Sequence, residues 1–135
     1  MYSFLKAHRK RIVYLPLIVY WIILLIATSI PTDDFPRVLM TVGDKVKHFA
    51  AYFILGGYLA IAFSVQERVP LLRKYFIIAA IFTATVYGLI DEIHQAFIPG
   101  RFYELLDWVA DIIGATVGSI IVGFILNKYV FNKKR

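Results

Sequence analysis

Asp44, His48 and Tyr52 follow one another at intervals of four residues, where a long apolar stretch begins. On a helix this spacing brings a carboxylate, an imidazole and a phenol to one face. Such groups can transfer protons or bind a cation, and ionisable residues at membrane depth are usually functional. Two structural alternatives stay open. Asp44 could cap the helix N-terminus, and His48 could be a buried neutral residue bonded to a neighbour.

A second group of polar residues ends a later apolar stretch. Asp91 and Glu92 are adjacent carboxylates at a predicted helix C-terminus, where the helix dipole favours cations. Gln95 shares a face with Asp91, and a Pro-Gly turn then leads to Arg101. We therefore expect either a bend in the helix or a compensating cation, for which Arg101 is the nearest candidate.

The last apolar stretch begins with acids followed by glycines. Asp107, Asp111, Gly114 and Gly118 are separated by four, three and four residues, so they share one helix face. Asp107 suits an N-cap or first-turn position, whereas Asp111 lies deeper. Gly114 and Gly118 form a small-xxx-small pair that lets another helix approach closely. This seam would turn both acids towards the helix bundle.

These patterns predict one acidic pocket. Carboxylates held close together must take up protons, recruit cations such as Lys47 and Arg101, or bind a metal ion. The chain has no cysteine, so thiolate sites are excluded. Oxygen ligands with one imidazole suit magnesium, manganese or calcium, or zinc at lower coordination, so a divalent cation is the cofactor to consider. The candidate metal ligands are Asp44, His48, Asp91, Glu92, Asp107 and Asp111.

Four apolar runs must position this pocket: residues 12–30, 49–65, 75–90 and 108–126. Of the 135 residues, 60% are hydrophobic, against roughly 45–50% in soluble domains. Each run has, or can reach with its flanks, the roughly 20 residues that cross a bilayer. A buried soluble bundle would need polar stripes at helical period, and the first and third runs have none. We predict an all-α, polytopic membrane protein with four transmembrane helices.

Basic residues are divided unevenly between the two sides. Eleven of the 15 Lys and Arg residues lie in residues 1–11, in the loop after the second run and in residues 127–135, with Glu67 as the one acid. The positive-inside rule predicts that both termini are cytoplasmic tails, flanking a membrane domain of residues 12–126. No basic residues remain for a nucleic-acid patch. The first run is longer than a signal-peptide core, so we expect no cleavage.

Three motifs resemble the VanZ-like family of small bacterial membrane proteins. They are DKxxHFxxY at 44–52, DExxQxFxPGR at 91–101 and DxxADxxGxxxG at 107–118, in the family's order and spacing. The resemblance implies a multi-pass protein of the bacterial cytoplasmic membrane, and the founding member is associated with resistance to the glycopeptide teicoplanin. This chain departs from the family at Asp111, where the family usually has Asn.

The same residues are compatible with several functions. An enzyme at the outer leaflet would act on a lipid-linked or glycopeptide-related envelope substrate, with Glu92, Asp91 or His48 as general base or metal ligand. Arg101 would hold a phosphate or carboxylate. The candidate ligand contacts are Arg101, Gln95, Tyr52 and Lys47. Alternatives are an accessory protein that binds an envelope precursor, an anionic lipid or the antibiotic, a proton-coupled lipid transporter, and a polar cluster that only joins helix ends.

Overall fold

The computed structural model describes residues 2–31 and 43–128, and these residues form helices without any strand. Residues 32–42 and most of the predicted C-terminal tail lie outside the described part. A π-helical segment, Lys10–Tyr14, runs directly into the second α-helix. The α-helices are α1 (Tyr2–Ala7), α2 (Leu15–Ser29), α3 (Asp44–Val65), α4 (Pro70–Lys74), α5 (Phe76–Gln95) and α6 (Leu105–Leu126).

Within the described residues, four helices are long and apolar enough to cross a membrane, which confirms the predicted all-α fold. They are Lys10–Ser29, which contains α2, and the helices α3, α5 and α6, each of 20 or 22 residues. At 1.5 Å per residue these lengths match a hydrocarbon core of roughly 30 Å.

The helices extend beyond the predicted apolar runs at the ends that carry acids. The N-cap of α3 is Gly43, so the proposal that Asp44 caps this helix was wrong, and Asp44 lies in the first turn. Asp107 is likewise a first-turn residue of α6, one of its two predicted positions. Asp91 lies in the last turns of α5, so these three acids all belong to helix ends.

Backbone contact between α3 and α6 forms the centre of the bundle. A Cβ atom added at Gly118 would lie 2.0 Å from the carbonyl oxygen of Phe53, and one at Gly114 would lie 2.3 Å from that of Phe49. Across the same seam, the Ser119 hydroxyl donates a hydrogen bond of 3.1 Å to the Gly56 carbonyl. The glycines therefore act as the predicted close-packing pair.

The helix α2 packs more loosely against this centre. The Tyr20 hydroxyl donates a 2.8 Å hydrogen bond to the Ala51 carbonyl of α3. Apolar side chains on its outer face, such as Ile22 and Ile26, are more than half exposed. Such a face is suited to lipid.

Ion pairs hold the N-terminal segment at the end of the bundle that is opposite to Asp44, Asp91 and Asp107. Lys6 pairs with Glu67, and Arg9 lies 2.9 Å from the second oxygen of the same carboxylate. The hydrogen bond from Lys6 and the charge of Arg9 lower the pKa of the Glu67 carboxyl. This acid therefore stays ionised at neutral pH and links α1 to the loop after α3.

Replacing Gly118 with alanine should destabilise the bundle. Alanine favours an exposed helix by about 1 kcal/mol over glycine, but here its Cβ would overlap the α3 backbone, and overpacking costs about 1–3 kcal/mol. Gly57→Ala is the matched control, since its Cβ would lie 3.4 Å from Val122, an ordinary contact. Thermal unfolding in detergent should show a lower Tm for Gly118→Ala only. Equal Tm values would contradict the close contact.

Candidate functional site

The ends of three helices meet in an acidic cluster. His48 comes from the second turn of α3, Glu92 from the last turn of α5, and Asp111 from the second turn of α6. The histidine Nδ1 lies 3.0 Å from Asp111 Oδ1 and 3.6 Å from Glu92 Oε1. All three side chains are buried, with 9% of His48, 1% of Glu92 and none of Asp111 exposed. The structure thus brings together three of the predicted metal ligands.

Two carboxylate oxygens of this cluster lack a hydrogen-bond partner within the described residues. They are Glu92 Oε1 and Asp111 Oδ2, and both are fully buried. A Cβ added at Gly88 would lie 3.0 Å from Asp111 Oδ2, so the absence of a side chain there leaves room for this oxygen. Buried polar atoms are normally satisfied, so these two oxygens are available to a proton or a cation.

One ligand atom from each of His48, Glu92 and Asp111 lies within 4.8 Å of the other two. Two ligands of a tetrahedral ion are about 3.4 Å apart, given metal–ligand bonds of roughly 2.0–2.2 Å. Shifts of less than about 1 Å would therefore let all three bind one ion. The donor set, one imidazole with two carboxylates, suits zinc or manganese.

Asp91 and Tyr52 lie beside the cluster. The Tyr52 hydroxyl donates a long hydrogen bond of 3.4 Å to Asp91 Oδ2, while Asp91 Oδ1 has no partner among the described residues. Both side chains are almost completely buried. They line a cavity of about 90 Å³ together with His48, Thr28 of α2 and Arg101. This volume corresponds to about three water molecules.

The negative charge of Glu92, one of the two adjacent acids at the end of α5, is compensated by groups other than the expected one. The backbone N–H of Glu104 donates a 3.0 Å hydrogen bond to Glu92 Oε2, and His48 lies near the other oxygen. α5 nevertheless continues to Gln95, beyond both acids. A backbone donor and an imidazole therefore surround Glu92, in place of the expected guanidinium of Arg101.

Arg101 fastens α2 to the rest of the bundle. Its guanidinium donates hydrogen bonds to the backbone carbonyls of Ile30 at 3.0 Å and Ala27 at 3.2 Å, and to Gln95 Oε1 at 3.1 Å. Cations are favourable at a helix C-terminus, where carbonyl groups lack partners within the helix. Arg101 lines the cavity and Gln95 contacts it there, and a role for either residue in ligand binding stays a prediction.

The two remaining acids of the predicted metal set form ion pairs outside the cluster. Asp44 Oδ1 lies 2.5 Å from the Lys47 ammonium, and Asp107 Oδ1 lies 3.0 Å from that of Lys45. Lys45 also contacts Glu104 at 2.8 Å, so it joins the first turns of α3 and α6. Sequence reasoning missed Lys45 and Glu104. The available signal was opposite charge at two helix starts predicted on the same side.

Comparison with known proteins identifies the family of this chain. The family model described as VanZ/LLP1 matches residues 4–126, nearly the whole chain. The protein belongs to the VanZ-like family. No curated protein and no solved structure matches it. In this VanZ-like protein all three motifs that suggested the family contribute a residue to the buried cluster: His48, Glu92 and Asp111.

Replacing Arg101 with lysine should loosen the end of α2. Lysine keeps the charge but cannot reach three acceptors with a planar fork. Because the chain has no cysteine, a single Ala27→Cys probe can report on this contact. Maleimide labelling of the probe should be faster in the Arg101→Lys background than in an Arg73→Lys control at the other end of the bundle. Equal labelling rates would argue against the fastening role.

Proposed function

We propose that this protein binds a divalent cation at the non-cytoplasmic end of its helix bundle and acts there on a phosphate-bearing, lipid-linked cell-envelope substrate. The convergence of His48, Glu92 and Asp111, with two buried carboxylate oxygens lacking partners, carries the proposal. An ion bound by these residues would polarise a phosphate or activate a water molecule. The site would lie at the outer face of a bacterial cytoplasmic membrane.

Each neighbouring residue has a role in this proposal. Asp91, with one unpartnered oxygen, would accept a proton from the water that attacks phosphorus, and the Tyr52 hydroxyl would orient Asp91. The P–O bond to the lipid-linked part would break, and that part would leave with its oxygen while phosphate is released. Lys47 and Arg101 line the cavity and would attract the anionic headgroup. Gln95 would keep Arg101 in place through their hydrogen bond.

Exposed aromatic rings favour a lipid-linked substrate. Phe97 and Phe102, in the loop between α5 and α6, are 81% and 78% exposed. Rings so exposed at this end of a membrane bundle are suited to the boundary between headgroups and acyl chains. The cluster would then lie at the depth where a lipid phosphate is found.

A non-catalytic binding protein is the second candidate. The cavity beside the cluster, of about 90 Å³, is large enough for a few waters but not for a complete headgroup. This observation favours an accessory protein that holds the phosphate of a lipid or envelope precursor at its rim. Altered precursor handling would connect either candidate to teicoplanin resistance.

Proton-coupled transport has less support. Below the cluster, the described core consists of apolar side chains such as Leu55, Leu59, Ala80 and Ala84. The buried Ser64 hydroxyl in this region donates to the backbone carbonyl of Ile61. A proton relay needs polar groups across the membrane, and here they gather at one end.

Metal binding tests the cluster directly. Purified protein should bind one Mn²⁺ or Zn²⁺ per chain in equilibrium dialysis. Each of the variants His48→Gln, Glu92→Gln and Asp111→Asn should weaken binding by more than about tenfold. Loss of a residue that only supports a metal ligand already lowers affinity by about tenfold or more, and loss of the ligand itself should cost at least as much. Glu104→Gln is the control, since it removes one negative charge from the same end but outside the cluster. Equal binding by all variants would refute the metal site.

Turnover distinguishes the two candidates. The purified protein with bound metal should release phosphate from lipid-linked envelope precursors, and Glu92→Gln should abolish release. In cells, the same variant should lose any effect of the protein on teicoplanin susceptibility. Saturable precursor binding without product would instead favour the accessory role. An unchanged cellular phenotype in Glu92→Gln would contradict both.

Topology needs a separate measurement. Two single-cysteine variants, Ser3→Cys and Tyr103→Cys, should be accessible to a membrane-impermeant maleimide from opposite sides of the membrane. Tyr103, in the loop beside the cluster, should label in intact cells, whereas Ser3 should label only after lysis. The reverse pattern would place the acidic site on the cytoplasmic side.

A further inference from the structure

A groove of about 590 Å³ lies at the opposite end of the bundle from the acidic cluster. Pockets that bind small ligands measure roughly 300–1,000 Å³, so the groove is large enough for part of a lipid. Its walls come from α2 and its preceding π-helical segment on one side and from α3, the loop after it, α4 and α5 on the other. The apolar lining includes Leu17, Trp21, Leu59, Ala62, Phe63 and Leu72.

The groove runs along the helices rather than across them. Along the π-helical segment and α2 its lining extends from Tyr14 to Trp21, about 10 Å at 1.5 Å per residue. One leaflet of the hydrocarbon core is about 15 Å thick, so the groove covers most of the depth that an acyl chain occupies.

Basic side chains line the mouth of the groove. Lys10 and Arg68 lie there, and neither forms an ion pair or side-chain hydrogen bond with any described residue. The acid at the mouth, Glu67, is already paired with Lys6 and Arg9. The Gln66 side-chain amide donates a hydrogen bond to the Val69 carbonyl and accepts one from the Val69 N–H. The mouth therefore offers two cations and no available carboxylate.

We infer that this groove binds an anionic phospholipid, with one acyl chain between α2 and the α3–α5 wall and its phosphate between Lys10 and Arg68. The apolar groove suits the acyl chain of such a lipid, and the basic mouth suits its phosphate. A zwitterionic lipid would fit the groove equally but would gain less from the mouth, because its headgroup has no net charge. This site is independent of the acidic cluster and of the proposed chemistry there.

Tryptophan fluorescence can follow the occupant. The chain has two tryptophans, Trp21 in the groove and Trp108 on α6, so a Trp108→Phe variant reports on the groove alone. The protein is placed in nanodiscs of phosphatidylcholine brominated on its acyl chains, which quenches Trp21. Unbrominated phosphatidylglycerol is then added, with the same amount of unbrominated phosphatidylcholine as the reference.

Phosphatidylglycerol should relieve quenching several-fold more than phosphatidylcholine does. Arg68→Gln and Lys10→Gln should each reduce this preference about fivefold, the effect expected of one basic residue near an anionic surface. Arg73→Gln is the matched control, because it removes one positive charge at the same end but outside the groove. It should leave the preference unchanged.

Three results would overturn the inference. Equal relief by the two lipids would show that the groove does not select an anionic headgroup. A preference that survives both Arg68→Gln and Lys10→Gln would place the headgroup elsewhere. Absence of quenching by brominated lipid would mean that no acyl chain reaches Trp21. Circular dichroism of each variant separates these results from misfolding.

Discussion

Direct backbone contact between α3 and α6 determines the geometry of the whole molecule. Glycines at 56, 114 and 118 remove the side chains that would otherwise separate the two helices. Because both helices are rigid, this contact also fixes the distance between His48 and Asp111, about one to two turns further out. α5 adds Glu92 to the pair, and α2 covers the remaining side. A small change at the seam would therefore be transmitted to the cluster.

The polar groups in the bundle follow from the cost of burial in lipid. An unpaired charge at membrane depth is expensive, so polar side chains need nearby partners. Lys45 and Lys47 pair with acids at the rim, whereas His48, Glu92 and Asp111 face one another, and the Glu104 backbone N–H is a further donor to Glu92. The lysines of these pairs are partly exposed, which limits the stability that the pairs contribute, but they neutralise charge around a strongly acidic interior. The remaining negative charge is concentrated where three helices end.

Local periodicity explains what the sequence could predict. Apolar run length indicates the four helices, and the spacing of Gly114 and Gly118 indicates a seam, because both depend only on neighbours along one helix. The sequence could not show that His48, Glu92 and Asp111 would come together while Asp44 and Asp107 would not. That outcome depends on which helix faces meet, and spacing along one helix does not determine it. The contacts of Arg101 were also beyond prediction. Two of its three acceptors are backbone carbonyls at the C-terminal end of α2, more than 70 residues away, and carbonyls carry no sequence signature.

The hydrogen bond from the Glu104 backbone to Glu92 also affects the loop between them. It joins the end of α5 to the residue that precedes α6, so the loop is closed at its base before the chain reaches its exposed tip. Loops closed in this way tolerate changes in length, since the entropy of closure grows slowly with the number of residues. An epitope tag inserted after Arg101, between Phe102 and Tyr103, would therefore leave the cluster and the Arg101 contacts with α2 in place.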